Sequence, residues 1–203
     1  MKDKIKRICV YCGASPGARP QYVHAAKELG RELASRGITL VYGGGATGLM
    51  GTVARAALEK GGEVIGVIPQ SLMDRELGLK TVSELRVVSS MHERKAMMAE
   101  LSDAFIAMPG GLGTAEEFFE AATWAQLGFH KKACALLNVD GFYDKLAVFI
   151  EHMSAEKFVD PAHAAMIIVE PTVQGVLDRI AGYRPPTVDK AKWVRMESSA
   201  DLK

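Results

Sequence analysis

The sequence predicts a single α/β domain with a doubly wound, Rossmann-like parallel sheet. Short apolar runs alternate along the chain with longer segments whose apolar residues recur at helical spacing. Two of these runs pass directly into glycine-rich loops that open helices. The chain has 203 residues, 48% hydrophobic and 24% charged, which is enough for one sizeable core. In such a sheet we expect the ligand beyond the carboxyl ends of the strands, where both loops fall.

The first half of the chain is predicted to contain four strands and two helices. The strands are 5–11, 38–42, 64–68 and 84–88, and the first three are apolar enough to lie inside a parallel sheet. The first helix is 21–36, with Ala25, Leu29 and Leu33 on one stripe and Gly37 as a cap. The second helix, 49–60, follows a glycine loop, and 70–80 is a polar connection with one short helical turn.

The second half continues the alternation. Helix 91–102 carries Ala96, Met97 and Leu101 on one stripe, and helix 115–127 carries an apolar stripe that ends at Leu127. The remaining predicted strands are 104–108, 133–138 and 167–169, and the remaining helices are 143–157 and 171–183. Residues 1–186 are therefore predicted to form the domain, and 187–203 a peripheral tail.

The stretch DAFIAMPGGLGTAEEFFE, residues 103–120, combines a strand, a glycine loop and a helix. Pro109 ends the strand, Gly110, Gly111 and Gly113 form the loop, and Thr114 has the chemistry of an N-cap. At such a junction the backbone N–H groups and the positive end of the helix dipole favour a phosphate. The predicted ligand is therefore anionic.

Glu116 and Glu117 follow within the first turn of this predicted helix. One turn rises about 5.4 Å, comparable to the span from a 5′-phosphate to the anomeric carbon of its ribose. A carboxylate here could reach that carbon, as a nucleotide glycosidase requires. The alternative is a capping box, in which Glu117 only returns a hydrogen bond to the backbone of Thr114. These residues alone favour the cap.

The earlier glycine loop, 43–51, satisfies G-x-G-x-x-G through Gly43, Gly45 and Gly48. The acidic residue that a dinucleotide site needs about 20 residues further on is absent. We therefore interpret these glycines as a wall that a ligand or a neighbouring loop can approach closely. Ser15, on the loop that follows the first strand, is a further candidate to face the ligand.

The segment MHERK, residues 91–95, crowds charge into the start of a predicted helix. It is either a solvated first turn or a site where an anionic group holds two cations, because cations at a helix start oppose the dipole.

Composition argues against several classes of protein. The net charge is +1 and there is no long basic cluster, so the sequence lacks the basic surface that is typical of nucleic-acid-binding proteins. No apolar run approaches the ~20 residues of a membrane span and no signal peptide is seen, so a cytoplasmic location is expected. Cys9 and Cys12 form a C-x-x-C, interpreted as structural because Cys134 is the only other cysteine. The five histidines lack ligand spacing, so neither a metal nor a cofactor is expected.

Five segments together resemble the LOG, or lonely guy, family of cytokinin riboside 5′-monophosphate phosphoribohydrolases. They are CVYCGASPG (9–17), YGGGATGLMG (42–51), GVIP (66–69), MHERK (91–95) and PGGLGTAEE (109–117). The last two are far more specific than either glycine loop alone. The resemblance implies hydrolysis of the N-glycosidic bond of an N6-modified adenosine 5′-monophosphate to free base and ribose 5-phosphate. It also implies that bacterial relatives often act on AMP itself.

Residue by residue, the resemblance implies that Arg94 and Glu117 are the catalytic pair. It implies phosphate binding by the glycine loop and its helix, and the matching motifs give further substrate-binding candidates. These residues are Gly110, Gly111, Gly113 and Thr114, together with Ser15, Gly45, Met91, Arg94 and Lys95. Glu117 would stabilise an oxocarbenium-like state, and Arg94 would either aim Glu117 or bind ribose hydroxyls. A homodimer with active sites close to the subunit contact is implied as well.

Two other functions compete with this interpretation. A non-catalytic carrier of a nucleotide or of the molybdenum cofactor would share the fold and the glycine loop but would need no catalytic carboxylate. An NAD-linked oxidoreductase would need the missing ribose-binding acid. Similar sequences have been labelled lysine decarboxylases, yet nothing here marks a pyridoxal phosphate site. AMP and an N6-prenylated nucleotide differ mainly by one apolar pocket, and the motifs do not distinguish them.

Overall fold

The computed structural model describes residues 5–75 and 78–187. The strands are β1 (Arg7–Tyr11), β2 (Thr39–Tyr42), β3 (Val64–Pro69), β4 (Glu84–Val88), β5 (Ala104–Ala107), β6 (Ala133–Leu137) and β7 (Ile167–Glu170). The helices are α1 (Pro20–Ser35), α2 (Gly48–Glu59), α3 (Gln70–Met73), α4 (Met91–Leu101), α5 (Leu112–Gln126), α6 (Asp144–Ala155), α7 (Pro161–Ala164) and α8 (Val173–Gly182). A 3₁₀ turn, Val139–Gly141, precedes α6.

These strands form one parallel sheet in the order β4-β3-β2-β1-β5-β6-β7. The chain winds outwards from β1 to β4, crosses back to β5 beside β1, and then winds the other way. The predicted doubly wound α/β sheet is confirmed. Its switch point lies between β1 and β5, so the crevice at their carboxyl ends is the expected ligand site.

Both faces of the sheet are covered. On one face Ile8 and Val10 pack with residues of α1, α2 and α8, and on the other Cys9 and Tyr11 pack with residues of α4, α5 and α6. A strand that is buried on both sides has no polar face, which is why these strands are continuously apolar in sequence. Strands β5 and β6 are buried along their whole length.

The C-x-x-C motif does not form a site. Cys9 and Cys12 are free, buried thiols that belong to opposite faces of the sheet. Burial raises the pKa of both thiols, so both stay protonated. Within the described ranges, no group of three or more His, Cys, Asp or Glu side chains is arranged to hold a metal ion. None of the helices in those ranges is long and apolar enough to cross a membrane.

Most predicted element boundaries shift by one to three residues. Helix α8 begins at Val173 rather than at 171, because the Thr172 hydroxyl caps it by accepting a hydrogen bond from the Gly175 N–H at 3.1 Å. The short helix α7 was not predicted, and its N-cap is Asp160. Of the predicted tail 187–203, residues 188–203 lie outside the described residues.

Two predicted apolar stripes are partly wrong. On α4 Ala96 is exposed, and the buried apolar residues are Met98 and Ala99. On α5 the predicted stripe ends too late, because Leu127 follows the helix and is exposed. Each of these helices has two faces in contact with protein: one packs on the sheet, and the other contacts the neighbouring helix through charged residues. The apolar residues therefore do not recur at a single helical spacing.

Candidate active site

Helices α4 and α5 bring Arg94 and Glu117 together at the carboxyl edge of the sheet. The Arg94 Nη1 donates a hydrogen bond to the Glu117 Oε1 at 2.9 Å. The two side chains are only 8% and 11% exposed. Burying an ion pair is favourable only where the remaining hydrogen-bonding groups are satisfied, so the other contacts of the pair decide what it can do.

Backbone carbonyls hold the Arg94 guanidinium on its other sides. Its Nε donates to the Val67 carbonyl at 3.1 Å, and its Nη2 donates to the Gly43 carbonyl at 3.4 Å. A Cβ atom on Gly43 would lie 1.9 Å from that Nη2, so only glycine leaves room for the guanidinium. Three of the five N–H donors of Arg94 are engaged in these contacts, and the fork is fixed in direction. This geometry supports the predicted role of Arg94 in aiming Glu117.

The electrostatics of Glu117 combine burial with nearby charge. Burial raises the pKa of its carboxyl group, the positive charges of Arg94 and Lys95 oppose that rise, and the carboxylate of Glu116 adds to it. A carboxylate in such surroundings is a stronger base than an exposed one and is stabilised by any positive charge that develops beside it. Both properties suit acid–base chemistry at a glycosidic bond.

Lys95 extends the contact between the two helices. Its Nζ lies 2.5 Å from the Glu116 Oε1 and 3.1 Å from the Glu120 Oε1. The anionic groups that the cations of MHERK require are therefore carboxylates of α5. The alternative of a solvated first turn is wrong for Arg94 and Lys95, which are both largely buried. A substrate that contacts the Lys95 amine would share it with two carboxylates.

Helix α5 begins earlier than predicted. Its first residue is Leu112, and its N-cap is Gly111 rather than Thr114. The Gly111 backbone is extended, and its carbonyl already accepts a hydrogen bond from the Ala115 N–H at 3.1 Å, so the helix starts inside the glycine loop. Thr114 is buried in the first turn.

The capping-box alternative is therefore wrong, and Glu117 lies in the second helical turn rather than the first. Its carboxylate points to Arg94. Helical side chains lean towards the N-terminus, so this carboxylate still covers the turn that precedes its own Cα. The predicted separation of about one turn between an anion at the helix start and the carboxylate is retained.

The start of α5 is suited to an anion. Its N-cap residue, Gly111, has no side chain with which to cap the terminus. A Cβ atom on Gly111 or Gly113 would meet no described atom within 4 Å, whereas on Gly110 it would lie 2.2 Å from the Thr114 Oγ1. The first N–H groups of a helix have no intrahelical partner, so this terminus offers donors and open space at the same point.

The loop after β1 closes one side of the crevice and connects the two glycine loops. The Gly13 N–H donates to the Pro109 carbonyl at 3.1 Å. The Gly13 carbonyl accepts hydrogen bonds from the Leu49 N–H at 3.0 Å and the Met50 N–H at 3.3 Å, at the start of α2. The N-terminus of α2 is thus occupied by protein, as the interpretation of the first glycine loop as a wall predicts.

Three predicted site residues lie on the same edge, but their described contacts are structural. The Ser15 hydroxyl accepts a hydrogen bond from the Gly17 N–H at 3.3 Å. Gly45 forms an isolated antiparallel bridge with Gly78. Met91, the first residue of α4, is 46% exposed. A role for these three residues in substrate binding stays a prediction.

Sequence reasoning missed two partners of Arg94, the carbonyls of Gly43 and Val67, and one partner of Lys95, the carboxylate of Glu120. Gly43 and Val67 act through backbone carbonyls, and a carbonyl leaves no residue-type signal. Glu120 could have been found, because it stands four residues after Glu116 and therefore on the same helical face.

Comparison with known proteins supports the family assignment. A family model described as possible lysine decarboxylase matches residues 50–180. The cytokinin riboside 5′-monophosphate phosphoribohydrolase LOG3 of Arabidopsis thaliana is 52% identical over 184 residues, which cover 91% of this chain and 86% of the relative. The phosphoribohydrolase of the same kind named LOG, from Oryza sativa subsp. japonica, is 53% identical over 184 residues, or 91% of this chain and 76% of the relative.

Solved structures of the same fold include two proteins of the molybdenum cofactor. The carrier protein of Chlamydomonas reinhardtii has a TM-score of 0.66 and 23% identity, covering 88% of this chain and 98% of that one. The binding protein of Rippkaea orientalis has a TM-score of 0.68 and 22% identity, covering 89% and 98%. At these identities the likeness shows the fold alone.

The fold and the site define a Rossmann-like α/β protein in which an uncapped helix terminus lies beside a buried arginine–glutamate pair. The sequence matches cover more than nine tenths of the chain at about half identity. The chain belongs to the LOG family of cytokinin riboside 5′-monophosphate phosphoribohydrolases, and the resemblance seen in the five motifs is confirmed.

Proposed function

We propose that this protein hydrolyses the N-glycosidic bond of adenosine 5′-monophosphates, either AMP or its N6-modified forms, to free base and ribose 5-phosphate. The observation that carries the proposal is the buried Arg94–Glu117 pair, which lies about one turn from the uncapped start of α5. This arrangement offers an anion site and a directed carboxylate at the spacing of a nucleotide. The relatives are named for phosphoribohydrolysis of a riboside 5′-monophosphate, a reaction of the same class.

The phosphate binds at the start of α5 in this proposal. Backbone N–H groups of the segment from Gly110 to Thr114 donate to its oxygens, and the helix dipole favours its charge. The absence of side chains at Gly111 and Gly113 allows the phosphate to approach the backbone closely. The ribose then extends along the helix towards Glu117.

Glu117 acts at the anomeric carbon. As the bond from C1′ to the base nitrogen breaks, its electron pair leaves with the base and positive charge develops on the ribose ring. The Glu117 carboxylate stabilises that charge and accepts a proton from the water that attacks C1′. The departing base takes up one proton in turn, so the products are the neutral base and ribose 5-phosphate.

Arg94 is a positioning residue in this scheme. Its contacts with two backbone carbonyls fix the guanidinium, and its contact with Glu117 fixes the carboxylate in turn. The positive charge also opposes the effect of burial on the Glu117 pKa, which keeps the carboxylate available as a base.

Substitution of Glu117 by glutamine tests the proposal. Purified wild type and Glu117→Gln are incubated with AMP and with isopentenyladenosine monophosphate, and free base is measured by chromatography. We expect the wild type to release base and the variant to lose about 10²- to 10⁴-fold in rate, because glutamine keeps the shape but cannot accept the proton. The substrate that is cleaved faster identifies the preferred nucleotide.

A melting curve for each protein is the control for folding. If neither nucleotide is cleaved by the wild type but one of them raises its melting temperature, the carrier alternative replaces the glycosidase. If the folded variant cleaves as fast as the wild type, Glu117 has only a structural role.

We further propose that the protein is a homodimer whose contact lies close to this site. Leu112, at the start of α5, is 92% exposed, and Met91, at the start of α4, is 46% exposed. Apolar side chains left exposed beside a site are commonly covered by a partner. Sedimentation equilibrium should give twice the 21.9 kDa of one chain, and the mass of a single chain would refute the dimer.

A further inference from the structure

Tyr143 contacts the root of the α5 glycine loop although it lies far from that loop in sequence. Its hydroxyl donates a hydrogen bond to the Met108 carbonyl at 2.6 Å, and both residues are buried. Met108 stands between β5 and Pro109, and its own N–H donates to the Tyr11 carbonyl at 2.9 Å. The point at which the chain leaves the sheet is therefore fixed from two sides, once by β1 and once by Tyr143.

The position of Tyr143 is itself fixed by the end of β6. Its backbone N–H donates to the Asn138 Oδ1 at 2.6 Å, and the Asn138 Nδ2 donates to the Asp144 Oδ1 at 2.7 Å. A single asparagine thus closes the turn between β6 and α6. Burial raises the pKa of the Tyr143 phenol, which keeps it protonated and able to donate.

The same turn contacts the other loop that flanks the crevice. Phe142 packs edge-to-face on Tyr22 with ring centroids 5.7 Å apart. Tyr22 lies directly beneath Gly17 of the β1–α1 loop, where an added Cβ would stand 2.7 Å from the ring. Asp140 also pairs with Arg19 across the surface. Adjacent residues of one turn therefore reach both loops.

We propose that Tyr143 is a positioning residue for phosphate binding, which holds the α5 glycine loop in the conformation that presents its N–H groups to the anion. The inference rests on the proposed function, because it assumes that this loop binds the substrate phosphate. A preorganised anion site spends no binding energy on ordering its own backbone. Removing the hydroxyl leaves the Met108 carbonyl buried without this donor and lets the loop adopt other conformations.

The test is Tyr143→Phe, which removes one oxygen atom and keeps the ring in the core. We expect the KM for AMP to rise about 5- to 10-fold, the effect of losing one buried hydrogen bond, while kcat changes by less than about twofold. The inhibition constant of ribose 5-phosphate should rise in parallel. Hydrolysis of adenosine, which lacks the phosphate, should be unaffected, so the preference for nucleotide over nucleoside falls.

The matched control is Tyr42→Phe. Tyr42 is fully buried on the opposite face of the sheet, and its hydroxyl makes no hydrogen bond within the described part of the chain. This variant should keep the wild-type KM and the wild-type preference for nucleotide. If Tyr143→Phe has a lower melting temperature yet keeps the wild-type preference for AMP over adenosine, Tyr143 is a core residue only and the inference is wrong.

Titration with ribose 5-phosphate separates this inference from the proposed function. It requires no turnover, so it decides the role of Tyr143 even if the wild type cleaves neither substrate. Weaker binding to Tyr143→Phe than to Tyr42→Phe supports the inference in that case, while the glycosidase proposal fails. Equal binding to the two variants overturns the inference whatever the activity of the wild type.

Discussion

The two glycine loops of this protein are alike in sequence and opposite in structure. Each follows a buried strand and opens a helix without a side-chain cap. The first N–H groups of α2 nevertheless donate to the Gly13 carbonyl, whereas no residue in the described part of the chain accepts from the first N–H groups of α5. In the first loop, a Cβ on Gly48 would stand 2.2 Å from the backbone of Ala14. In the second, a Cβ on Gly111 would meet no described atom within 4 Å.

Glycine therefore serves two purposes at the same edge of the sheet. In the first loop it lets protein approach protein, including the guanidinium of Arg94 against Gly43. In the second it leaves space that protein does not fill. A glycine motif indicates an anion site only where the N–H groups of the following helix have not found another partner. The comparison predicts different consequences for the same substitution in the two loops.

Among the glycine substitutions, the largest effect is expected for Gly43→Ala in the first loop. The added methyl group would stand 1.9 Å from the Arg94 Nη2, so the guanidinium must move and Glu117 loses its direction. A misplacement of this size costs about 10²-fold in kcat, and the overpacking costs about 1–3 kcal/mol of stability. Steady-state rates with AMP measure the loss of kcat, and denaturant-induced unfolding measures the loss of stability.

Two further variants make this prediction specific. Gly182→Ala, at the end of α8, adds a methyl group where no described atom lies within 4 Å; it should leave the rate unchanged and can only raise the stability slightly, because alanine favours a helix more than glycine does. If Gly43 acts through the carboxylate, Gly43→Ala should cause little additional loss of rate in a Glu117→Gln background. If the rate losses of Gly43→Ala and Glu117→Gln instead multiply in the double variant, Gly43 affects the rate independently of Glu117.

A smaller and different effect is expected for Gly111→Ala in the second loop. The methyl group projects into open space, so stability should fall by no more than the ~1 kcal/mol that alanine costs at an N-cap position. The KM for AMP should rise about tenfold, because the methyl group keeps the phosphate from the backbone donors and weakens a charge-assisted hydrogen bond. Steady-state kinetics with AMP measure this, and kcat should be nearly unchanged. An unchanged KM would mean that the phosphate does not bind at this loop.

The sequence predicted the fold because a sheet buried on both faces leaves a strong local signal. The signal consists of apolar runs of strand length and of apolar stripes at helical spacing, such as Leu29 with Leu33. Both patterns are formed by residues close together in sequence, and they were sufficient to predict the alternating order of strands and helices. The pairing of Arg94 with Glu117 was suggested only by the family motifs. Its geometry depends on the carbonyls of Gly43 and Val67, which any residue at those positions would possess.

The start of α5 shows why boundaries were harder to predict. Thr114 has the side chain of an N-cap, and the prediction followed that chemistry. The structure begins the helix at Leu112 instead, because an extended glycine at 111 can place its carbonyl for the first helical hydrogen bond without any side chain. Packing of Thr114 against Gly110 then favours burial of the hydroxyl over capping. Local preference was overridden by a tertiary contact.

The smallest expected effect is on the pH dependence of the rate. It concerns Glu117, whose position depends on the first loop through Arg94. If ionised Glu117 is the required form, kcat/KM falls as pH decreases through its pKa, which burial raises above the ordinary carboxyl value. Lys95 opposes that rise, so Lys95→Met should move the acidic limb to higher pH. Glu116 adds to the rise, so Glu116→Gln should move the limb to lower pH.

The opposite signs make this a test of Glu117 itself. The substrate phosphate also titrates, with a pKa near 6, but its contribution is common to all variants and cancels when their profiles are compared. Gly111→Ala, which changes the phosphate site and no charge, should leave the limb in place. If all three variants shift the limb together, the limb reports the phosphate of the substrate or the fold as a whole. If only the two charge variants shift it, and in opposite directions, the titrating group is the carboxylate that Arg94 holds.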